Sequence, residues 1–340
     1  MTANTSRILI ETTIRKTIKD IANDPERSIR RVLDMATTFS NGRFQKHFFA
    51  SAQKMLSNEQ SAYYHLVRDT IANVDAEKLV RFGMNLGYNS CTAGAKIIRE
   101  IEETEQFNIP WSLSLNINAG TLHNGKAFYQ KLIADGQSLG IYTWLLYTDE
   151  ITSDLLDIIT EFPDSAFLLF CPGQEITDAL LNETAYLHNI LFAVTYDSKI
   201  CSACVLLRKH RFPFAVYVPY SEQDIESILN DSLFHNIENL HPTFIFLKVA
   251  ASCPQQMQDK VYQYIKILRT KQNHPTLIMD LIYDNLFIDG IISSDACIAG
   301  FNAVGQLCTL DHSFSDPSYN LHTNSLNSIL KLAFPKASSK

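Results

Sequence analysis

The hydrophobic positions of the first hundred residues recur with the spacing of amphipathic helices. This spacing is followed by Ile8, Ile14, Ile18 and Ile21. Asp24-Pro25 then has the form of an N-cap followed by proline at the first helical position. Further helices are broken at residues 40–42 and around Asn73, and Ala95–Glu105 carries its isoleucines on one stripe and its acids on the other. The pattern predicts a helical N-terminal region over residues 1–107.

From Trp111 onwards the pattern changes to short apolar runs, rich in β-branched and aromatic residues, that alternate with helical segments. The runs predict strands at 111–117, 141–147, 166–171, 190–194, 214–218, 243–249 and 277–282. The segments between them predict helices near 126–138, 151–161, 176–187, 198–209, 221–231 and 254–271. Phe167–Phe170 and Phe244–Leu247 are apolar throughout, which is typical of parallel strands buried on both faces.

This alternation of strands and helices predicts a parallel sheet with right-handed crossovers. An open doubly wound sheet and a barrel both fit the periodicity. Beyond the last predicted strand, residues 280–290 and 296–311 favour a β-rich extension with a hairpin turn at Val304-Gly305, and a terminal helix is predicted at Ser325–Ala333.

Composition argues against nucleic-acid binding, secretion and membrane insertion. The chain has 340 residues, 46% of them hydrophobic, which is ample for a continuous core. Its net charge of −7 arises from interspersed acids and bases, so nucleic acid is not an expected partner. Charged residues from Arg7 onwards make a secretory signal unexpected, and no apolar run approaches the roughly 20 residues that span a bilayer. Seven scattered cysteines favour reduced thiols and a cytoplasmic location.

Several passages in matching order carry a family resemblance. Phe82–Trp111 and the strand Trp111–Ile117 resemble the entry into the barrel of bacterial radical S-adenosylmethionine (radical SAM) proteins. Asp135–Tyr142 resembles the QGKELGIY of relatives, and the C-terminal passages around Cys297 and Cys308 resemble their GCIAGG and NGDIEPC. The resemblance implies an α/β fold with a partial TIM-like barrel of the radical SAM type over residues 108–290, and a small β-rich extension over residues 291–340.

The departures from this family concern its cofactors. In relatives, a CxxxCxxC loop after the first strand holds a [4Fe–4S] cluster that binds S-adenosylmethionine, and a GGEP motif follows the second strand. Here the first strand runs into Asn118–Gly125, residues 112–165 contain no cysteine, and Thr148–Ile151 replaces GGEP, with Glu150 in a comparable place. Cluster irons need thiolate ligands. The resemblance therefore implies a degenerate member that has lost radical chemistry, with Glu150 as its remaining candidate cofactor contact.

Four cysteines are the candidate ligands of a relocated metal or cluster. Cys201 and Cys204 form the one CxxC, with both thiols on one helical face; a metal site, a thiol redox role and core packing remain open, and apolar neighbours favour core packing. Cys297 and Cys308 match a C-terminal extension that carries an auxiliary cluster in some relatives. Further ligands would come from Cys253, His312, His322 or a partner chain, and a buried thiol pair is the favoured alternative.

Other polar residues fall near the predicted strand ends, where barrel chemistry gathers. The candidates are His123, His241, His274, His312, Asp149, Glu150, Glu175, Asp197 and Cys171-Pro172-Gly173. Among the histidines this position favours His123, although a solvated loop position is the favoured alternative. The acids could bind a divalent cation or form an acid–base pair, but acids after strands also commonly begin helices. No P-loop, GxGxxG, HExxH or GxSxG occurs.

Two functional hypotheses follow. The first is a non-catalytic radical SAM-like protein of the bacterial cytoplasm that binds an active radical SAM enzyme, a peptide or a small molecule, without iron–sulfur cluster or S-adenosylmethionine. Its contact surface would include the aromatic cluster Phe44, His47, Phe48 and Phe49, whose spacing also suits a helical core. The second is an enzyme, with either an atypical cluster on Cys201, Cys204, Cys297 and Cys308 or cluster-free chemistry on the acids around Glu150. The missing motif favours the first.

Overall fold

A computed structural model of the chain describes residues 3–21, 27, 30, 58–250, 252–293, 295–310 and 313–336. It divides into two compact units. The first unit comprises Met1–Val80, Pro172–Tyr186 and Leu191–Asp284, and the second comprises Arg81–Cys171, Leu187–Ile190 and Asn285–Lys340. No helix in the described ranges is long and apolar enough to cross a bilayer.

The second unit contains strands β1 (Ser112–Ile117), β2 (Thr143–Thr148), β3 (Ala166–Cys171), β8 (Ala299–Phe301) and β9 (Leu307–Cys308). They lie in the order β3-β2-β1-β8-β9, and all neighbours are parallel except the β8–β9 hairpin. Its helices include α4 (Ala95–Glu105), α5 (Ala119–Ser138), α6 (Ser153–Glu161), α12 (Tyr283–Ile292, which begins at the unit boundary) and α13 (Leu326–Ala333).

A π-helix over Asn85–Gly94 leads into α4. Its buried Asn85 donates from Nδ2 to the carbonyl oxygens of Pro163 and Ser165, each at 2.8 Å. Ser90 Oγ lies 2.7 Å from Thr143 Oγ1 on β2. Asn85 thus holds the turn that precedes β3, and Ser90 contacts the first residue of β2, so the π-helix is bonded directly to the sheet.

The first unit contains the parallel strands β4 (Ile190–Thr195, which starts at the boundary), β5 (Phe214–Tyr220), β6 (Phe244–Val249) and β7 (Leu277–Asp280), in the order β7-β6-β5-β4. Its helices include α1 (Ala3–Ile21), α2 (Tyr63–Asn73), α3 (Ala76–Met84, which crosses the boundary), α7 (Asp178–Glu183), α8 (Ile200–Lys209), α9 (Ile225–Leu229), α10 (Ser232–Glu238) and α11 (Gln255–Lys271). Its core includes Val216, Ile245, Leu247 and Ile265, all fully buried.

The seven predicted strands are confirmed, each with ends within two residues of the prediction. The hairpin at Val304-Gly305 is also confirmed, and Gly305 has φ of +77°, which favours glycine. Predicted helices of the barrel are present, although 221–231 is divided into a short 3₁₀ turn at Glu222–Asp224 and helix α9. Asp24-Pro25, residues 40–42 and the aromatic cluster Phe44, His47, Phe48 and Phe49 lie outside the described residues.

Two local predictions are wrong. Residues 280–290 are not β-rich: after β7 the chain enters helix α12, because Asp280 Oδ1 accepts hydrogen bonds from the backbone N–H groups of Ile282 and Tyr283, each at 2.9 Å. The helix predicted near 126–138 is longer than expected: α5 begins at Ala119, seven residues earlier than predicted, so residues 119–125 are helical and do not form a loop. Both errors concern the first residue of a helix, which is set in each case by the hydrogen bonds of one side chain, Asn118 for α5 and Asp280 for α12.

Candidate functional site

The carboxyl ends of β1 and β2 lie where the sequence resemblance places the cofactors. Asn118 follows β1 directly, and its side-chain oxygen accepts a hydrogen bond from the N–H of Gly120 at 2.9 Å, so it is the N-cap of α5. The chain thus passes from strand to helix with one intervening residue. A strand followed this closely by a helix leaves no loop of the length that the CxxxCxxC motif requires.

The segment after β2 is closed by its own hydrogen bonds. Thr148 Oγ1 donates to the carbonyl oxygen of Glu150 at 2.7 Å, and the N–H of Glu150 donates back to Thr148 Oγ1 at 3.3 Å. The threonine side chain therefore hydrogen-bonds the carbonyl oxygen and the N–H of Glu150, backbone groups that the family's glycine pair would leave free to contact a ligand. Asp149 and Glu150 are both exposed, and the assignment of Glu150 as a cofactor contact stays a prediction.

One face of the second unit's sheet is polar and partly accessible. Leu113, Leu115 and Ile117 of β1 are buried, whereas Ser114 is half-buried and Asn116 is exposed on the opposite face. In register with Asn116, the rings of Tyr147 on β2 and Phe170 on β3 stack with centroids 4.3 Å apart. This face offers amide, hydroxyl and aromatic groups to a ligand, and it also carries the thiol of Cys308 on β9, in register with Gly300 of β8 and Ser114 of β1.

Cys201 and Cys204 lie on α8 in the first unit. Cys201 is exposed and Cys204 is buried, and burial raises the pKa of the Cys204 thiol to about 12. Metal ligation and redox exchange both need the thiolate. Burial therefore opposes both roles for Cys204 and supports the core-packing alternative.

Cys297 and Cys308 lie in the second unit, before β8 and on β9. Cys297 is buried, and burial together with the carboxyl of Asp289 raises the pKa of its thiol well above the ordinary value. Cys308 is half-buried, and its Sγ lies 3.7 Å from the carbonyl oxygen of Gln306 and 3.7 Å from Ser313 Oγ. Within the described ranges, no three His, Cys, Asp or Glu side chains come together in a way that could hold a metal ion.

The remaining sequence candidates have local roles where the structure describes them. Asp197 accepts hydrogen bonds from the N–H groups of Gly173 (3.0 Å) and Lys199 (2.7 Å), which fixes the turn before α8. His274 is buried and hydrogen-bonds Glu238, which raises the pKa of its imidazole. His241 has φ of +56° in a tight turn before β6. The side chain of His123, and His312 as a whole, lie outside the described residues.

A second polar arrangement, which the sequence analysis missed, lies at the carboxyl ends of β5, β6 and β7 in the first unit. Tyr220 ends β5, Cys253 follows β6 and Asp280 ends β7. Tyr220 and Asp280 are each only 1% exposed. Neither the Tyr220 hydroxyl nor Asp280 Oδ2 has a hydrogen-bond partner in the described part of the chain. Burial raises the pKa of Asp280 to about 6, and the two N–H groups on Oδ1 lower it only in part.

A third polar group, at the start of β1 in the second unit, is fully satisfied. Asp289 accepts from the N–H groups of Trp111 (2.8 Å) and Cys297 (2.7 Å). Glu102 accepts from the N–H of Ile109 at 2.9 Å and the hydroxyl of Ser293 at 2.6 Å. These buried carboxyls hold backbone segments together, so their role is structural.

No protein-family model and no curated protein sequence matches the chain. Among solved structures, SuiB of Streptococcus suis bound to S-adenosylmethionine superposes with a TM-score of 0.50 at 10% identity, covering 87% of this chain and 77% of SuiB. SuiB bound to its precursor peptide SuiA gives a TM-score of 0.48 at 9% identity, covering 69% of this chain and 68% of SuiB. The first comparison confirms the fold that the resemblance implied: an α/β, partial TIM-like barrel of the radical SAM type.

The residues present do not fit the [4Fe–4S] cluster that this fold family implies. The place of the cluster loop is the first turn of α5, where the side chain of Asn118 accepts a hydrogen bond from the N–H of Gly120. The first cysteine after α4 is Cys171, at the end of β3, where it is fully buried. Three thiolates on one short loop, the donor set that a cluster needs, are absent from this position.

Proposed function

We propose that this protein, a barrel of the radical SAM type, is non-catalytic and works by binding a partner protein, a peptide or a small ligand. One observation carries the proposal: helix α5 begins at Ala119, directly after β1, where radical SAM enzymes hold their cluster. Without cluster ligands there, the chain has no means to deliver an electron to S-adenosylmethionine at the family's position.

The segment after β2 supports the same proposal independently. The reciprocal hydrogen bonds between Thr148 and Glu150 occupy backbone groups next to the position of the family's S-adenosylmethionine contact. The sheet face with exposed Asn116 and half-buried Tyr147, whose ring stacks on that of buried Phe170, remains suited to contact a ligand. Aromatic and amide groups recognise peptides and small molecules without any metal.

The partner and the cellular setting are part of the proposal. An active radical SAM enzyme is one candidate partner. The seven free cysteines suit a reducing cytoplasm, and we place the protein in that of a bacterium. The segment limits 1–107, 108–290 and 291–340 stay proposals for the helical region, the barrel and the extension.

Titration with S-adenosylmethionine tests the loss of cofactor function. We expect no saturable heat by isothermal titration calorimetry and no cleavage of S-adenosylmethionine with a strong reductant under anaerobic conditions. Circular dichroism on the same sample shows that the protein is folded. Saturable binding that Glu150→Ala weakens by about tenfold, or about 1.4 kcal/mol, would contradict the proposal and restore the cofactor site.

A further inference from the structure

The end of β7 carries a buried acid and a buried phenol with unused hydrogen-bonding capacity. Asp280 uses Oδ1 to cap helix α12, while Oδ2 has no partner among the described residues, and the same holds for the hydroxyl of Tyr220. Buried polar atoms in folded proteins nearly always have a partner. Two such atoms at the carboxyl ends of parallel strands, where barrel proteins bind their ligands, are unusual enough to need an explanation.

The two groups are directed at the same place. Strand register puts Val218 beside Leu247 and Leu247 beside Asp280, so Tyr220, two residues after Val218, lies on the same sheet face as Asp280. The Tyr220 hydroxyl is close enough to Asp280 and Cys253 that both raise its pKa, after the larger effect of burial. The phenol and the carboxyl interact weakly, and this contact contributes to the raised pKa of Tyr220, but its geometry is too poor to satisfy either atom, so both can still accept a third group.

The charges around this place are negative. Arg269 donates from Nη1 and Nη2 to Asp284 Oδ1, both at 2.9 Å, so its charge is already neutralised. Burial raises the pKa of the Cys253 thiol, and the charge of nearby Glu222 raises it further. Asp259 accepts a hydrogen bond from the Tyr283 hydroxyl. Arg269, whose charge lowers the pKa of Asp280, is already shared with Asp284, whose charge raises it.

Aromatic rings complete the surroundings. Tyr283, whose backbone N–H donates to Asp280, stacks on Tyr262 with ring centroids 4.6 Å apart. Tyrosine faces attract organic cations, and an ammonium group supplies three donors for acceptors such as a carboxylate and a phenol oxygen. A ligand anion or a neutral acceptor would meet only repulsion or a competing acceptor here.

We propose that Tyr220 and Asp280 form a binding site for a primary ammonium group, with the carboxylate as counter-ion and the phenol oxygen as second acceptor. The ammonium belongs to a small amine, a lysine side chain or a peptide N-terminus. This inference rests on the proposed function, because it gives a ligand class to a barrel that works by binding. Cluster and S-adenosylmethionine assays do not involve this site, so the two proposals fail separately.

Calorimetric titration with ethylammonium chloride, against sodium chloride at equal ionic strength, tests the site. We expect saturable binding that Asp280→Asn abolishes and Tyr220→Phe weakens several-fold. Asparagine still caps α12 through Oδ1, and Tyr220→Phe removes a hydroxyl without a hydrogen bond, so both variants should fold. Tyr264→Phe is the matched control, because the Tyr264 hydroxyl donates to Asp231 at 2.7 Å and is not part of the site, so affinity should stay unchanged.

The affinity should also depend on pH. An alkylammonium with pKa of about 10.4 stays protonated across the range, while Asp280 must ionise to bind it, so affinity should rise by about tenfold from about pH 5 to about pH 7.5. The charged and titratable neighbours that act on Asp280 and Tyr220 are Asp284, Arg269, Cys253 and Tyr283. A flat pH profile would contradict the role of Asp280.

Two peptides identify the source of the ammonium group. One is a lysine-free peptide with a free N-terminus, and the other is the same peptide acetylated and carrying one lysine. Binding of either, lost in Asp280→Asn, extends the site to that source, while binding of ethylammonium alone assigns it to a small amine. Absence of saturable ethylammonium binding to the parent, or equal binding by all variants, would overturn the proposal.

Discussion

Replacing Asp289 with alanine is expected to lower the free energy of unfolding by about 4 kcal/mol at about pH 5. Asp289 is fully buried, and its two oxygens accept from the N–H groups of Trp111 and Cys297. Alanine leaves both donors buried without an acceptor, at the points where the chain enters β1 and β8. Urea unfolding followed by circular dichroism measures the loss.

The same residue should make stability depend on pH. Burial, with a contribution from the charge of Glu102, raises the pKa of Asp289 to about 7, above its ordinary value of 3.8. A carboxyl with a raised folded-state pKa stabilises fully below its unfolded pKa, and that contribution is lost as pH rises through about 7. The difference between parent and Asp289→Ala should therefore be smaller at about pH 8 than at about pH 5.

Asp289→Asn separates the hydrogen bonds from the charge. Asparagine keeps one acceptor for one of the two N–H groups, so it should lose about half as much stability as alanine and show a flatter pH profile. A loss below about 1 kcal/mol in Asp289→Ala would mean that these buried hydrogen bonds do not contribute as the geometry implies.

Gly140→Ala is expected to cost about 3 kcal/mol or more, in the range of strained and overpacked substitutions. Gly140 has φ of +92°, and a Cβ there would lie 2.5 Å from the carbonyl oxygen of Gly94 and 3.0 Å from Cγ1 of Ile98. The contact joins the segment before β2 to the helical lead-in of the second unit. The first contact is with a backbone atom and the second is with the buried side chain of Ile98, so neither can move aside easily.

Gly94→Ala and Gly83→Ala provide the comparison. At Gly94 the added Cβ would lie 2.2 Å from the carbonyl oxygen of Gly140, so a similar loss is expected from the opposite side of the same contact. At Gly83, in helix α3, a Cβ meets nothing within 4 Å, and alanine should stabilise by up to about 1 kcal/mol. Equal unfolding midpoints for all three variants would show that the close approach is not maintained in solution.

The strands were predictable because their signal is local. Runs such as Ala166–Cys171 and Phe214–Val218 are apolar throughout and contain two aromatic residues each, which is typical of parallel strands buried on both faces. The start of α5 was not predictable by periodicity, because the cap depends on the side-chain conformation of Asn118. Helix α12 was predicted as β-rich for the same reason. Its start depends on the Asp280 side chain, which accepts from the first N–H groups, and its apolar positions also suit a strand.

The candidate site was predictable only in part. The loss of the cluster ligands was predictable from the sequence alone, because residues 112–165 contain no cysteine and therefore no CxxxCxxC motif. The pairing of Tyr220 with Asp280 depends on the register of three strands, and these residues are 60 positions apart in the chain. A search of residues at predicted strand ends would have found both, but only the fold shows that they share a sheet face.

Iron and sulfide content, with the visible spectrum of anaerobically purified and reconstituted protein, tests the account most directly. The comparison is a Cys201, Cys204, Cys297 and Cys308→Ala quadruple variant, measured in parallel. The account predicts colourless protein without stoichiometric iron in both samples. Stoichiometric iron and absorption near about 400 nm in the parent, lost in the quadruple variant, would contradict it and establish a relocated cluster.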